Sequence, residues 1–240
     1  MGAVVQARMR STRLPGKVLL EAAGKPMLDH LMERLAYATS LTAALVATSE
    51  EPVDDPIAAL CDARGIPVFR GSELDVLDRY HRAAEQFRLD VVVRITADCP
   101  LADPRLIDRM VRLFLAHPSQ YDLVTNRHPL TFPDGLDCDV MSAEGLAEAW
   151  RHATTPPQRE HTIPYFWEAG LRVYNVEDPA RGFWRYRWTL DYWEDYLLLR
   201  RIFEALYQPG RLVTTDEIIA FLEAHPDVAA LNAQYLPAHD

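Results

Sequence analysis

Ala3-Val4-Val5-Gln6-Ala7-Arg8-Met9-Arg10-Ser11-Thr12-Arg13-Leu14-Pro15-Gly16-Lys17 is the stretch on which the reading of this 240-residue chain turns. Ala3 to Gln6 is an apolar run of strand length, and it passes directly into a loop carrying Arg8, Arg10, Arg13 and Lys17. Beyond the loop, Met27, Leu28, Leu31, Met32 and Leu35 recur at helical spacing after Pro26, a residue that suits the first turn of a helix. Strand, cationic loop and helix in that order make the first unit of an open α/β sheet, whose ligands sit at the carboxyl ends of the strands. The cations can neutralise a phosphate chain, and Ser11 and Gly16 are small enough for backbone N–H groups to reach its oxygens. It is not a Walker loop, because Lys17 is followed by Val18 and the upstream Gly is missing. The plain alternative is a solvated basic loop.

Working outward, apolar runs alternate with segments of helical period, which predicts an α/β fold with a mostly parallel sheet covered on both faces. Strands are expected at Thr42 to Thr48, Pro67 to Phe69 and Val91 to Ile95, with helices at Asp55 to Arg64 and Asp75 to Phe87. The second half is less regular. Helices are expected at Asp103 to His117, Ala143 to His152, Gln158 to Ala169, Trp193 to Leu206 and Asp216 to Ala224. Strands are expected at Asp122 to Thr125, Leu171 to Tyr174 and Tyr186 to Leu190, a turn or hairpin insertion at Thr131 to Gly135, and a loose surface tail after Pro226. No Gly- and Ser-rich linker or internal repeat divides the chain, so one domain spanning 1–240 is expected, with a dimerisation or lid hairpin near 127–141.

Lys plus Arg number 25 against 35 Asp plus Glu, and the net charge of −10 argues against a nucleic-acid binder. The N-terminal cation cluster is therefore a local reversal in an acidic chain. Cys61, Cys99 and Cys138 form no Cys-x-x-Cys pair, which disfavours structural zinc, and their odd number disfavours a disulfide framework. With neither a signal-like apolar region nor an 18-residue apolar span, a cytoplasmic protein without a membrane segment is expected.

Two further segments carry acids at strand ends. Arg94-Ile95-Thr96-Ala97-Asp98-Cys99-Pro100 closes the most apolar strand, and Thr189-Leu190-Asp191 precedes a helix. A carboxylate at such a place can hold Mg²⁺ against nucleotide phosphates, because Mg²⁺ takes only one or two protein oxygens. Asp98 as a loop cap and Asp191 as a helix N-cap are the bland readings. Asp134, Arg159 and His161 are acceptor-site candidates from the irregular half, where loops vary function on a fixed scaffold. Trp167, Trp184, Trp188 and Trp193, with Tyr174, Tyr186 and Tyr192, suit a sugar-stacking platform or, more simply, core and interface packing. Phe132, Pro133 and Leu136 look too apolar for a free loop, which points to an interface or a lid.

These segments together resemble the cytidylyltransferase family that contains the 3-deoxy-manno-octulosonate and N-acylneuraminate cytidylyltransferases, above all its spore-coat polysaccharide biosynthesis branch. The resemblance runs in order through Gln6 to Leu19, Ala47-Thr48-Ser49, Phe69-Arg70-Gly71-Ser72, Asp75 to Tyr80, Arg94 to Pro100, Phe132 to Asp137, Arg159-Glu160-His161 and Thr189-Leu190-Asp191. Two positions depart from it: Arg10 stands where relatives commonly carry Gly, and Ala97 where the branch often has Gly.

The resemblance implies a Rossmann-like three-layer nucleotide-diphospho-sugar transferase fold, usually dimeric, with a mixed, mostly parallel sheet. It implies CTP and a small-molecule acceptor as partners and Mg²⁺ as cofactor. Arg8, Arg13, Lys17 and Asp98 then take the catalytic roles. Gln6, Ala7 and Ser11 belong to the triphosphate loop, while Gly71, Ser72 and Arg94 lie near the base and ribose. Asp98 and Asp191 match the metal-binding acids. Two other readings stay open: a glycosyltransferase that uses Asp137-Cys138-Asp139 to hold a metal and diphosphate, and a non-catalytic nucleotide-binding subunit.

Overall fold

The computed structural model describes residues 1–117, 119–179 and 185–236. In chain order the strands are β1 (Gly2–Gln6), β2 (Glu21–Ala22), β3 (Lys25–Pro26), β4 (Ala43–Ser49), β5 (Val68–Gly71), β6 (Val91–Thr96), β7 (Leu123–Thr125), β8 (Asp139–Ser142) and β9 (Val173–Asn175). β2 and β3 make a small antiparallel hairpin that the sequence does not announce; the rest form one sheet in the order β5-β4-β1-β6-β8-β7-β9. From β5 to β6 all pairings are parallel, β8 runs antiparallel to both its neighbours, and β7 pairs β9 in parallel. The sheet is mixed and mostly parallel, as expected.

Alternation along the strands divides the core into two layers. Ala3 and Val5 face one cluster, packed with α1 (Met27–Leu35), α2 (Asp55–Arg64), α4 (Pro104–Ala116), α8 (Trp193–Leu206) and α9 (Thr215–Ala224). Val4 and Val92 face the other, with α3 (Val76–Gln86), α5 (Ala143–His152) and α7 (Pro164–Glu168). Val4, Val5, Val92 and Val93 are fully buried, and each contributes about 1.5–3 kcal/mol relative to exposure. Asp75 and Asp103, read as first helical residues, are instead the caps of α3 and α4, accepting from the backbone N–H of Asp78 and Arg105.

Three expectations from the second half are corrected, and one strand is added to them. β8 lies just past the turn expected at Thr131 to Gly135, where no strand was expected: a charged residue inside a short segment hides an interior strand, and its charge is met only across the register, where Arg94 lies opposite Asp139. Tyr186 to Leu190 does not join the sheet. It makes one parallel bridge, Asp134 to Arg187, while Trp188 and Leu190 sink into the core. The helix expected at Gln158 to Ala169 breaks into α6 (Pro156–His161) and α7, because Thr162 takes φ 68° and Pro164 cannot donate to the first helix. The tail after Pro226 is packed: α10 (Pro226–Ala229) leads into a 3₁₀ segment, Ala230–Tyr235, that buries Asn232. Within 127–141, Leu136 is buried and Phe132 packs against the same core, so these side chains are absorbed within the chain. Among the described residues no helix is long and apolar enough to cross a membrane.

Candidate active site

β1 sits where the strand order reverses, with β4 on one side and β6 on the other. Such a switch point opens a crevice at the carboxyl ends of the strands, and the cationic loop falls there. The loop is shaped by its own backbone. Gly16 donates to the Met9 carbonyl at 2.8 Å, Leu14 N–H donates to Ser11 Oγ at 3.3 Å, and Met9 N–H donates to the buried carboxylate of Asp54 at 2.7 Å. Gly16 holds φ 71°, a left-handed conformation that a side chain resists. Arg10, the departure from the family pattern, keeps negative φ and reaches outward to Glu73 at 2.8 Å.

Lys17 turns inward from the loop's end. Its ammonium donates to Asp98 Oδ2 at 2.9 Å and Asp191 Oδ1 at 2.8 Å, so one nitrogen touches both acids. Burial opposes the charged ammonium, but Asp98 and Asp191 outweigh it and hold the Lys17 pKa above its ordinary value. For Asp98 burial pushes the carboxyl up and Lys17 overrides it, leaving the pKa below the usual range. Both groups therefore stay charged at neutral pH. Arg13 adds a second cation at 2.8 Å from Asp191, and its guanidinium lies 5.1 Å from the centre of the Tyr192 ring. Backbone bonding fixes the acids' spacing, since Leu190 N–H donates to the Asp98 carbonyl at 2.7 Å.

Two cavities share this floor. One, of 170 Å³, is lined by Gln6, Ala7, Arg8, Ser11, Thr12, Arg13, Lys17, Asp98 and Asp191 among others. The second, of 570 Å³, shares Gln6, Arg8, Arg13, Thr96, Asp98 and Asp191 with it and extends to Arg94, Arg127, His128, Asp134, Asp137, Glu160, His161 and Trp167. Asp134 and His161 thus face the larger cavity. Arg159 lines neither; it pairs with Asp75, the α3 cap, and donates to the Trp150 carbonyl at 2.6 Å, which ties α6 to α3. Gly71 and Ser72 also stand outside both linings, and the Ser72 carbonyl accepts from buried Arg79 at 2.7 Å. Arg94 reaches the wall from inside the sheet, where it pairs with Asp139 at 2.9 Å.

That pair bears on the Asp-x-Asp reading. Asp139 is 0% exposed and its oxygens serve Arg94 and Thr125, while Asp137 pairs with Arg127 at 2.9 Å. Burial pushes the Asp137 carboxyl up to about 6 against the pull of Arg127. Among the described residues no three His, Cys, Asp or Glu side chains form a metal cage of their own. Trp188 is core, Trp193 is half-exposed at the start of α8, and Trp167 lines the cavity stacked on His128 at 5.3 Å. Trp184 lies outside the described residues.

Arg127, Glu160, His128 and Arg187 were not singled out from the sequence. Arg187 contacts three acids, with Nη1 2.6 Å from Asp134, Nη2 3.0 Å from Asp191 and Nε 3.1 Å from Asp195. Its one available signal was position, four residues before Asp191 in a segment read as a strand.

A cytidylyltransferase family model matches residues 3–202. The chain belongs to the cytidylyltransferase family. It is 35% identical over 235 residues to the spore coat polysaccharide biosynthesis protein SpsF of Bacillus subtilis, spanning 94% of this chain and 95% of the relative. It is 34% identical over 178 residues to a 3-deoxy-manno-octulosonate cytidylyltransferase of Solibacter usitatus, spanning 71% of this chain and 69% of the relative. The solved structure of a cytidylyltransferase from Leptospira borgpetersenii is 31% identical, with a TM-score of 0.90 over 100% of this chain and 98% of that one. This cytidylyltransferase is accordingly a nucleotidyltransferase enzyme, and the fold described above is that of its family.

Proposed function

We propose that this cytidylyltransferase moves CMP from CTP to an oxygen of a sugar acid or related metabolite and releases pyrophosphate in a Mg²⁺-dependent reaction. The observation that carries the reading is the Lys17 ammonium held between Asp98 and Asp191 at the ends of β6 and the Trp188 to Asp191 segment. Two carboxylates that converge on one cation, beside a loop able to bind a phosphate chain, suit Mg²⁺, a hard ion that takes few protein oxygens. Asp98 and Asp191 would hold the ion, and its chemistry there is to offset charge on the α-phosphate and to lower the pKa of the acceptor hydroxyl.

The chain's own groups do the rest. Loop N–H groups and the Arg8, Arg13 and Lys17 cations orient the triphosphate and neutralise the charge that grows on departing pyrophosphate. The acceptor hydroxyl gives up its proton to solvent and its oxygen forms a bond to the α-phosphorus as the bond to the bridging oxygen of pyrophosphate breaks. Asp134 and His161, on the wall of the larger cavity, orient the acceptor. A panel of nucleotides against sugar acids and sugar phosphates, scored by pyrophosphate release with Mg²⁺ and with excess chelator, tests the reading. Release with CTP and one acceptor class, lost on chelation, is the expected result. Turnover of a nucleotide sugar with no pyrophosphate would replace it with a glycosyl transfer.

The same proposal includes a homodimer in the cytoplasm, on the strength of the family resemblance. Because Leu136 is buried within the chain, charged substitutions there would test stability rather than association. Light scattering of the unaltered protein should give twice 27.3 kDa.

A further inference from the structure

The match to the family model ends at residue 202, and the chain beyond it returns to the site. Asn232, in the 3₁₀ segment Ala230–Tyr235, is 2% exposed, and its amide donates to the Arg187 carbonyl at 2.8 Å and to Asp195 Oδ1 at 2.7 Å. Those two residues are the clamps on Asp191. Arg187 Nη2 holds its Oδ2 at 3.0 Å, and Asp195 Oδ2 accepts the backbone N–H groups of Asp191 and Tyr192 at 2.9 Å each. Asn232 thus bridges the two ends of the turn that presents Asp191. Three residues on, Tyr235 stacks on Tyr192 with centroids 3.9 Å apart and planes within 6°, and the Tyr192 ring is the one beneath Arg13.

We infer that Asn232 is a positioning residue for the acid pair, acting through Arg187 and Asp195 to aim Asp191 at the point it shares with Asp98. The physical ground is that a carboxylate's grip on a cation depends on how rigidly its partners orient it. Asp191 has no rigid element of its own, because it lies outside any helix or strand, just before the Tyr192 cap of α8. Its orientation comes from the Arg187 and Asp195 clamps, which pair with each other at 3.1 Å, and Asn232 braces that pair through the Arg187 carbonyl and Asp195 Oδ1. The C-terminal segment is then part of the metal-binding apparatus of this protein, although none of its side chains lines either cavity.

The inference rests on the Mg²⁺ reading proposed above, and the test separates the two. CTP binding is titrated calorimetrically with and without Mg²⁺, in the absence of any acceptor so that nothing turns over. The proteins are wild type, Asp191→Asn, Asn232→Ala and, as a second handle on the same clamp, Arg187→Lys. Loss of Asn232 is expected to leave metal-free CTP binding unchanged while cutting the gain from Mg²⁺ by about tenfold, the lower end of the range for groups that orient a ligand's partner. Arg187→Lys, which keeps the charge but cannot hold three acids at once, is expected to show the same signature, and it carries the test if Asn232→Ala does not fold. Equal losses of metal-free and Mg²⁺-supported binding would make the segment a general structural support and overturn the inference. A full Mg²⁺ gain in Asn232→Ala and Arg187→Lys, with the gain lost in Asp191→Asn, would also overturn it while leaving the metal reading intact. A full gain in Asp191→Asn would remove the metal reading itself.

Discussion

The parallel side of the sheet, β5-β4-β1-β6, and the side beyond it, β8-β7-β9, place charged groups by different means. On the first side topology does the placing: apolar strands run together, and their carboxyl ends deliver the loop and Asp98 to the crevice. On the second side charges are set by partners far along the chain, with Arg94 held by Asp139 across 45 residues and Arg187 by Asp134 across 53. The difference teaches that the crevice of this molecule has two kinds of support. Backbone geometry positions the cationic loop, and an ion-pair network positions the wall of the larger cavity and Asp191.

The sharpest way to break that comparison is to remove one acid from each side. Asp98→Asn and Asp191→Asn should each lower kcat by about a thousandfold with the fold intact, because developing charge would lose its main offset. Pyrophosphate release and circular dichroism check this, and near-normal turnover in either variant would take that residue out of the site. Next comes the buried pair that lets β8 sit in mid-sheet. Arg94→Met should cost about 3–5 kcal/mol in denaturant unfolding, since it leaves Asp139 charged and unpaired, and adding Asp139→Leu should recover much of the loss. If the double variant is no more stable than the single, the pair is not what holds β8.

Smaller effects separate the sides further. Arg13 is half-exposed and reaches Asp191 from the loop. Arg13→Ala should weaken CTP binding by about 1.5–3 kcal/mol, the range for hydrogen bonds to charged groups, and leave CMP binding little changed. Titration of both nucleotides decides it, and equal losses would assign Arg13 to loop support. The smallest effect is a pH slope. Asp137 titrates at about 6 in the folded chain against an ordinary value of 3.8. Between those values the folded state binds the extra proton, so this group makes stability fall as pH rises through the window. Asp137→Asn should flatten that part of the profile of denaturation midpoint against pH. An unchanged profile would mean that Arg127 keeps Asp137 ionised throughout.

Much of the first side was legible because its signals are local. A hydrophobic run, a cation cluster and an acid after a strand can be read within a dozen residues, and the loop, Asp98 and the helices α1 to α4 fall where the pattern puts them. Arg159 misled because a polar segment in a variable region gives no sign of its partner, and Asp75 lies 84 residues away. Arg187 and Asn232 were missed for the same reason. Their importance lies in contacts with Asp134, Asp191 and Asp195, which no window of sequence contains.

The sequence by itself determined the alternating strands and helices, the cationic loop after β1 and the two acids at strand or segment ends, since hydrophobic periodicity and local charge are properties of neighbouring residues. Only the tertiary structure decided that a strand containing Asp139 lies in mid-sheet, that Lys17 joins Asp98 to Asp191, and that Asn232 reaches Arg187 and Asp195, the two residues that contact the second of those acids. The physical reason is desolvation. A charge enters a protein interior only where an opposite charge or hydrogen-bonding partner meets it, and in this molecule most of those partners arrive from distant parts of the chain.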